Sequence, residues 1–224
     1  MRWRQYAFPA VVLGIAAIAG IVVLIVNSGG GGGKGSTGCE NVPAPPPKTV
    51  TVPKPTLQLQ PSKTYVATVD TSCGSFVIQL DSKRAPKTGG SFVTLARRGF
   101  YDGLGFHRIA PGFVIQGGDP AGNGSGGPGY KIRERPPGNL IYTEGTVAMA
   151  KSGNDPAGTS GSQFFVVTGS NANLPPDYAL LGKVTKGLDV THRIEDLAST
   201  SDGPPSRPVV IKKVSISEQA GRAQ

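Results

Sequence analysis

The chain has 224 residues, including 33 glycines and 20 prolines, and carries a formal net charge of +9 at pH 7. So high a share of glycine and proline excludes a long coiled coil or a helical bundle, and the glycines lack the three-residue period of collagen. Hydrophobic residues still make up 38% of the chain, which is enough to build a core, and the length allows one domain with a tail or two small domains.

The N-terminus carries an uncharged, mostly apolar stretch at residues 7–26, preceded by Arg2 and Arg4. Twenty helical residues span about 30 Å, the thickness of the hydrocarbon core of a bilayer. Because the basic end of such a helix stays in the cytoplasm, we predict a cytoplasmic tail at 1–6, a single-pass membrane anchor at 7–26 and an extracytoplasmic remainder. The alternative is a cleaved signal peptide, which is disfavoured because apolar residues continue beyond the small-residue site at 17–19.

Residues 27–62 are rich first in glycine and then in proline, which predicts a flexible stalk between the anchor and a folded domain. The domain is expected at 63–218 and a C-terminal tail at 219–224. Cys39 and Cys73 are the two cysteines, and outside the membrane they either form a disulfide or remain free thiols. Their spacing matches no metal site, and the two histidines lie far apart, so no metal is expected.

The positive charge of the domain does not form a patch, because basic residues occur there singly or in pairs among acidic ones. This pattern is typical of a solvated surface, and we expect no nucleic-acid partner. The glycine-rich run at 118–129 lacks the Gly-Lys-Ser/Thr ending of a phosphate-binding loop, so it is interpreted as a long surface loop.

Apolar periodicity and turn residues predict a mainly β domain with two helices. Alternating residues predict paired strands at 65–69 and 75–80, and Pro86 begins a helix predicted over 86–98, although two glycines weaken it. The remaining predicted elements are strands at 105–110, 113–117, 145–150, 163–168 and 179–184, a helix at 187–198, and a last strand at 208–216. Many short strands indicate a sandwich or a barrel.

Strand geometry assigns side chains to faces in two of these segments. If 113–116 is a strand, Phe113 and Ile115 face one way, while Val114 and Gln116 face the other. In the segment at 161–167, Gln163 and Phe165 share one face, and Phe164 on the opposite face is assigned to the core.

The stretches FHRIAPGFVIQGGDP at 106–120 and GSQFFVVT at 161–168 resemble the two signature stretches of the cyclophilin family of peptidyl-prolyl cis-trans isomerases. The resemblance runs from about Thr64 to Ser217. It implies a closed, eight-stranded antiparallel β-barrel capped by two helices, and an isomerase that needs neither a cofactor nor a metal.

The resemblance also implies roles for particular residues. Arg108 matches the catalytic arginine of the family. Substrate-binding positions match Phe113, Val114, Gln116, Ala150, Lys151, Gln163, Phe165, Leu174 and Tyr178. Lys151 replaces a common Asn, and Tyr178 stands where animal-type members have His. Asn173 stands where those members have Trp, which argues against tight binding of cyclosporin-type ligands.

The implied function is isomerisation of X–Pro bonds in proline-containing polypeptides, assisting the folding of exported proteins, by a monomer held to the cell membrane through residues 7–26. The alternative is a non-catalytic chaperone or envelope module whose groove binds proline-containing segments. A third hypothesis is that the domain binds nucleic acid or an anionic surface, and its only support is the net positive charge.

Overall fold

The computed structural model describes residues 38–220. The predicted cytoplasmic tail, the anchor at 7–26 and the stalk before Gly38 lie outside the described residues, as do residues 221–224. Within residues 38–220, no helix is both long enough and apolar enough to cross a membrane.

Residues 38–220 form ten strands and two helices. In chain order these are β1 (Lys63–Thr71), β2 (Gly74–Leu80), α1 (Pro86–Arg97), β3 (Gly105–Ala110), β4 (Val114–Asp119), β5 (Ile132–Arg133), β6 (Thr146–Met149), β7 (Thr159–Ser160), β8 (Phe164–Val167), β9 (Leu180–Lys186), α2 (Leu188–Glu195) and β10 (Ile211–Ala220). Each predicted element has a counterpart, but α2 ends earlier than predicted. The two-residue strands β5 and β7 were not predicted, because so short a segment shows no periodicity.

The prediction of a closed barrel is wrong, because the eight main strands form a curled half-barrel in the order β10-β1-β2-β9-β6-β8-β4-β3. Its edge strands are β3 and β10, and they approach each other where Gly105 of β3 forms an isolated bridge with Val210, the residue before β10. Further along β3, Ile109 pairs instead with Gly203, which lies in the loop after α2. Because this loop pairs with the backbone N–H and carbonyl groups of Ile109, β3 does not form a continuous hydrogen-bonded ladder with β10, and the sheet stays open.

The main core lies between the sheet and the two helices. Burial alternates along β1, where Tyr65, Ala67 and Val69 are almost fully buried, as expected for a strand with one face on the core. Phe164 packs against three further rings, with centroids 5.9 Å from Phe92, 5.9 Å from Tyr101 and 6.0 Å from Phe106. The prediction that Phe164 belongs to the core is confirmed.

Residues 39–59, which we call the strap, differ from the stalk that the composition predicted, because they lie along the β domain. The Sγ atoms of Cys39 and Cys73 are bonded to each other, and Leu59 at the other end is 2% exposed. Backbone N–H groups of the strap donate to domain carbonyls at four places: Glu40 to Ser72 (2.7 Å), Lys48 to Pro120 (2.7 Å), Val52 to Pro128 (2.9 Å) and Leu59 to Pro86 (3.0 Å).

The strap explains the two glycines that weakened the prediction of α1. A Cβ atom on Gly90 would collide with the backbone carbonyl of Leu57, and one on Gly89 would collide with the side chain of Leu59. Glycine has a lower helix propensity than alanine, but at these two positions only glycine leaves room for the strap to lie directly on the backbone of α1.

Candidate active site

A row of side chains crosses four neighbouring strands on the face of the sheet that points away from the main core. The strand register places Arg108 of β3 opposite Gln116 of β4, Gln116 opposite Phe165 of β8, and Phe165 opposite Ala148 of β6. Directly opposed residues of an antiparallel sheet project to the same face. The register therefore brings together residues that are up to 57 positions apart in the sequence, from Arg108 to Phe165.

An apolar surface surrounds this row and forms a second, smaller hydrophobic cluster. Its buried members are Ala110, Val114, Tyr142, Ala148, Phe165, Val167 and Ala172, and partly buried Phe113, Leu140, Ala150, Leu174 and Tyr178 pack against them. Every predicted apolar pocket residue thus lies in this one cluster. Such a surface with a few polar groups at its border is the usual composition of a small-ligand site.

Phe113 reaches this cluster by a route that strand alternation did not predict. Strand β4 begins at Val114, and Phe113 lies in the preceding turn, where its N–H donates to the Ala110 carbonyl (3.0 Å). Ile115 is fully buried in the main core. The prediction that Phe113 and Ile115 share a face is therefore wrong, because Phe113 is not part of the strand.

The Arg108 guanidinium is held from two sides. Its Nε and Nη2 donate to the two carboxylate oxygens of Asp202 (2.7 and 2.8 Å), and its Nη1 donates to Oε1 of Gln116 (3.1 Å). These bonds use three of the five N–H donors of an arginine. The hydrogen bond to Asp202 raises the pKa of Arg108, so the group is charged at any working pH. Asp202 was not predicted, since it lies outside both signature stretches.

Two glutamine amides continue the polar border of the site. Nε2 of Gln116 donates to Oε1 of Gln163 (3.0 Å), whose own Nε2 donates to the carbonyls of Gly124 (2.9 Å) and Gly126 (2.8 Å). A cleft of about 530 Å³ opens beside both amides and is bounded by this glycine-rich run. The run at 118–129 was predicted as a surface loop, and it forms a wall of the cleft.

The buried carboxylate of Asp119 gives the glycine-rich run its shape. It accepts hydrogen bonds from the backbone N–H groups of Ala121 (2.8 Å), Asn123 (3.0 Å) and Gly124 (2.6 Å). Three donors on one carboxylate fix the turn that presents the carbonyl of Gly124 to Gln163.

Tyr142 supports the aromatic side of the site. Its hydroxyl donates to the carbonyl of Tyr178 (2.6 Å) and accepts from the N–H of the same residue (3.1 Å). Burial raises the pKa of Tyr142 to about 12, so the hydroxyl keeps the proton that it donates. Tyr178 in turn meets Phe165 edge to face, with ring centroids 5.5 Å apart. Sequence reasoning missed Tyr142 because it also lies outside the signature stretches.

Residues 66–216 match the family described as cyclophilin type peptidyl-prolyl cis-trans isomerase/CLD. The chain belongs to the cyclophilin family. It is 42% identical over 137 residues to a peptidyl-prolyl cis-trans isomerase of Helicobacter pylori, covering 60% of this chain and 82% of that protein. It is 37% identical over 175 residues to peptidyl-prolyl cis-trans isomerase A of Mycobacterium tuberculosis, covering 70% and 94%.

Solved cyclophilin structures share the fold. A cyclophilin of Cryptosporidium parvum matches with a TM-score of 0.63 and 31% identity, over 69% of this chain and 98% of that one. A second structure of that protein, determined in the presence of the dipeptide Ala-Pro, matches with a TM-score of 0.62 and 32% identity, over 68% and 98%.

This cyclophilin is an isomerase that interconverts the cis and trans forms of X–Pro bonds. The uncatalysed barrier is about 18–20 kcal/mol because resonance gives the C–N bond partial double-bond character. Twisting the bond breaks that resonance and returns a lone pair to the prolyl nitrogen. The reaction therefore needs no nucleophile, and any group that binds the twisted form better than the planar forms accelerates it.

Lys151 and Asn173 are two positions that the resemblance marks as departures from the family pattern. Lys151 folds back on its own turn, where Nζ donates to the Asp155 carbonyl (3.1 Å) and lies 5.4 Å from the centroid of the Tyr178 ring. Asn173 is exposed, and within residues 38–220 it is the one non-glycine residue with a positive φ, at 50°. Asparagine tolerates this left-handed conformation better than tryptophan, which gives a backbone reason for the polar residue.

His107 borders the site, whereas a second groove lies apart from it. Burial lowers the pKa of His107, so the imidazole beside Gln116 is neutral at pH 7. In the part of the chain that the structure describes, no group of three or more His, Cys, Asp or Glu residues could hold a metal ion. A larger groove of about 1700 Å³, lined by Lys63, Lys83 and Lys183 among others, contains none of the predicted site residues.

Proposed function

We propose that Arg108 is the catalytic residue and donates a hydrogen bond to the prolyl nitrogen as the X–Pro bond twists. Arg108 stands directly opposite Gln116, at the border of the second hydrophobic cluster, and this register is the observation that carries the proposal. Three of its N–H donors are occupied by Asp202 and Gln116, and the other two remain for a substrate. A third of the side chain is exposed, so a bound peptide can reach it.

The apolar cluster would hold the proline ring next to this donor. Phe113 lies within reach of Arg108, whose Cζ is 5.9 Å from the ring centroid, and Val114 and Phe165 continue the surface. Water excluded by these side chains would otherwise compete for the prolyl nitrogen, so the apolar surface strengthens the hydrogen bond from the guanidinium.

The remaining predicted residues would hold the neighbouring amides of the substrate and the rim of the pocket. Gln116 and Gln163 present side-chain amides to the cleft, and Ala150 and Lys151 line it beside them. Leu174 and Tyr178 pack on the aromatic side. The substrate class is a proline-containing polypeptide, supported by the Cryptosporidium parvum cyclophilin studied in the presence of Ala-Pro.

The test uses the full chain, purified in mild detergent, with cis-to-trans exchange measured on a short X–Pro peptide. The sole tryptophan is Trp3, so the signal must come from the peptide. We expect Arg108→Ala to lower kcat/KM by roughly 10²-fold, the usual loss on removing one transition-state hydrogen-bond donor. Arg84→Ala is the matched control, because Arg84 also forms a carboxylate pair, with Asp81, but lies outside the site. An Arg108→Ala variant that is folded and isomerises at the wild-type rate would refute the role of Arg108.

We further propose that residues 7–26 anchor the enzyme in the cell membrane with the isomerase outside the cytoplasm, where it assists the folding of exported proteins as a monomer. The apolar stretch after Arg2 and Arg4 supports this topology. A disulfide between Cys39 and Cys73 also favours an oxidising compartment over the cytoplasm.

Protease treatment of intact cells tests the topology. We expect an external protease to digest the isomerase domain, and a chain lacking residues 1–26 to remain protected inside the cell. Digestion of the full chain only after lysis would contradict the proposed orientation.

A further inference from the structure

Asp202 makes a two-point contact with the guanidinium of Arg108. Each carboxylate oxygen accepts from a different nitrogen, Oδ1 from Nε (2.7 Å) and Oδ2 from Nη2 (2.8 Å). Such a fork-to-fork arrangement fixes the orientation of an arginine as well as its position. The hydrogen bond from Arg108 lowers the pKa of Asp202, so the pair stays ionised at neutral pH.

The loop that carries Asp202 is itself held on the β domain. We call residues 198–206 the Asp202 loop. Next to Asp202, Gly203 exchanges two backbone hydrogen bonds with Ile109, of 2.7 and 3.1 Å, and Ile109 is the residue after Arg108. The base of the loop is closed by a bridge between Ala198 and Pro205. The carboxylate is therefore presented from a fixed backbone, unlike the free side chain of an ordinary surface ion pair.

The two partners of Arg108 act on different ends of its planar group. Asp202 holds the Nε and Nη2 edge, while Gln116 accepts from Nη1. With Gln116 alone, the guanidinium could turn about that single hydrogen bond. Asp202 removes this freedom before a substrate binds. The entropy lost in ordering the long side chain of Arg108 therefore does not add to the barrier of the reaction.

We propose that Asp202 is a positioning residue for isomerisation, which orients the guanidinium of Arg108 toward the prolyl nitrogen from outside the substrate site. The inference rests on the proposed role of Arg108. It adds a carboxylate and a loop, both remote from the signature stretches, to the parts of the enzyme that determine its rate.

The experiment compares kcat and KM of Asp202→Ala and Asp202→Glu in the full chain. We expect Asp202→Ala to lower kcat by about five- to tenfold, the effect of leaving one flexible side chain unordered, with KM changed by less than about twofold. Asp202→Glu, which keeps the carboxylate, should recover part of the loss. Asp196→Ala is the matched control, because it removes the same charge from an exposed position six residues earlier.

A double-mutant cycle separates positioning from a general effect on the fold. If Asp202 acts through Arg108, then Asp202→Ala causes no further loss in an Arg108→Ala background. An equal loss in both backgrounds, or an Asp202→Ala enzyme as fast as or faster than wild type, would overturn the inference. If Arg108→Ala alone keeps the wild-type rate, the proposed function fails instead, so the two failures are distinguishable.

A spectroscopic reading completes the test. The Nε–H of Arg108 should give a resolved amide-type NMR signal in the wild type, because its proton is held by Asp202. This signal should broaden or disappear in Asp202→Ala while the signals of the backbone persist. An unchanged Nε–H signal in that variant would show that Asp202 does not order the guanidinium.

Discussion

The disulfide between Cys39 and Cys73 ties the strap to the β domain, and its removal should have a large effect on stability. The bond spans 34 positions of the sequence. A cross-link that closes a loop of this length removes conformational entropy from the unfolded chain, and the loop-closure relation gives a stabilisation of about 4 kcal/mol at 25 °C. Because small domains are stable by only about 5–15 kcal/mol, the loss would be a substantial fraction of the total.

The variant Cys39→Ala/Cys73→Ala measures this contribution. Alanine is chosen because Cys73 is 2% exposed, and serine would bury an additional hydroxyl there. We expect a loss of about 4 kcal/mol in urea unfolding followed by circular dichroism, and a fall in Tm of roughly 8–16 °C.

Treatment with a thiol reductant should bring the wild type toward the variant and leave the variant unchanged. A loss below about 1 kcal/mol would refute the reasoning, because the unfolded loop would then gain little freedom when the cross-link is absent.

Two further predictions concern the strap and the end of α2. Gly90→Ala should lower the free energy of unfolding by about 1–3 kcal/mol, because the added methyl group collides with the Leu57 carbonyl. Alanine ordinarily stabilises a helix relative to glycine, so a more stable variant would mean that the strap does not lie on α1 at this point. His192 lies between Glu195 and Glu144. Its hydrogen bond to Glu195 is the main cause of a pKa raised above the ordinary 6.5, and its hydrogen bond to Glu144 raises the pKa further. A raised pKa stabilises the fold below about pH 6.5, and this contribution is lost as the pH rises through the folded-state value, so His192→Gln should be less stable than wild type at pH 5.5 and equal to it at pH 9. A stability difference that persists unchanged across this range in urea unfolding would contradict the assignment.

Periodicity located most elements of the fold, and the resemblance of the two signature stretches to the cyclophilin family indicated the residues of the candidate site. The alternation of Gln163, Phe164 and Phe165 placed Phe164 in the core and the other two on the opposite face, because side chains of a strand alternate regardless of the partner strands. The face predicted for Phe113 is wrong because β4 begins one residue later, at Val114. The alternation of side chains applies only to residues inside a strand.

The partners of these residues could not be predicted in the same way. Tyr142 and Asp202 lie far from the signature stretches, and a tyrosine or aspartate in a loop has no local pattern that indicates its partner. The strap was interpreted as a free stalk because proline-rich composition describes the conformation of a chain, and its contacts depend on the surface that the rest of the chain presents.

The sequence by itself determined the eight main strands, the two helices, the core position of Phe164, and the family whose signature stretches the chain carries, because these depend on interactions between near neighbours and on residue order. The tertiary structure alone decided that the sheet stays open at β3, that the strap lies on α1, and that Asp202 holds Arg108. Each of these contacts joins residues at least 27 positions apart, so it depends on the packing of the whole domain, where many small contributions compete and no local pattern records the outcome.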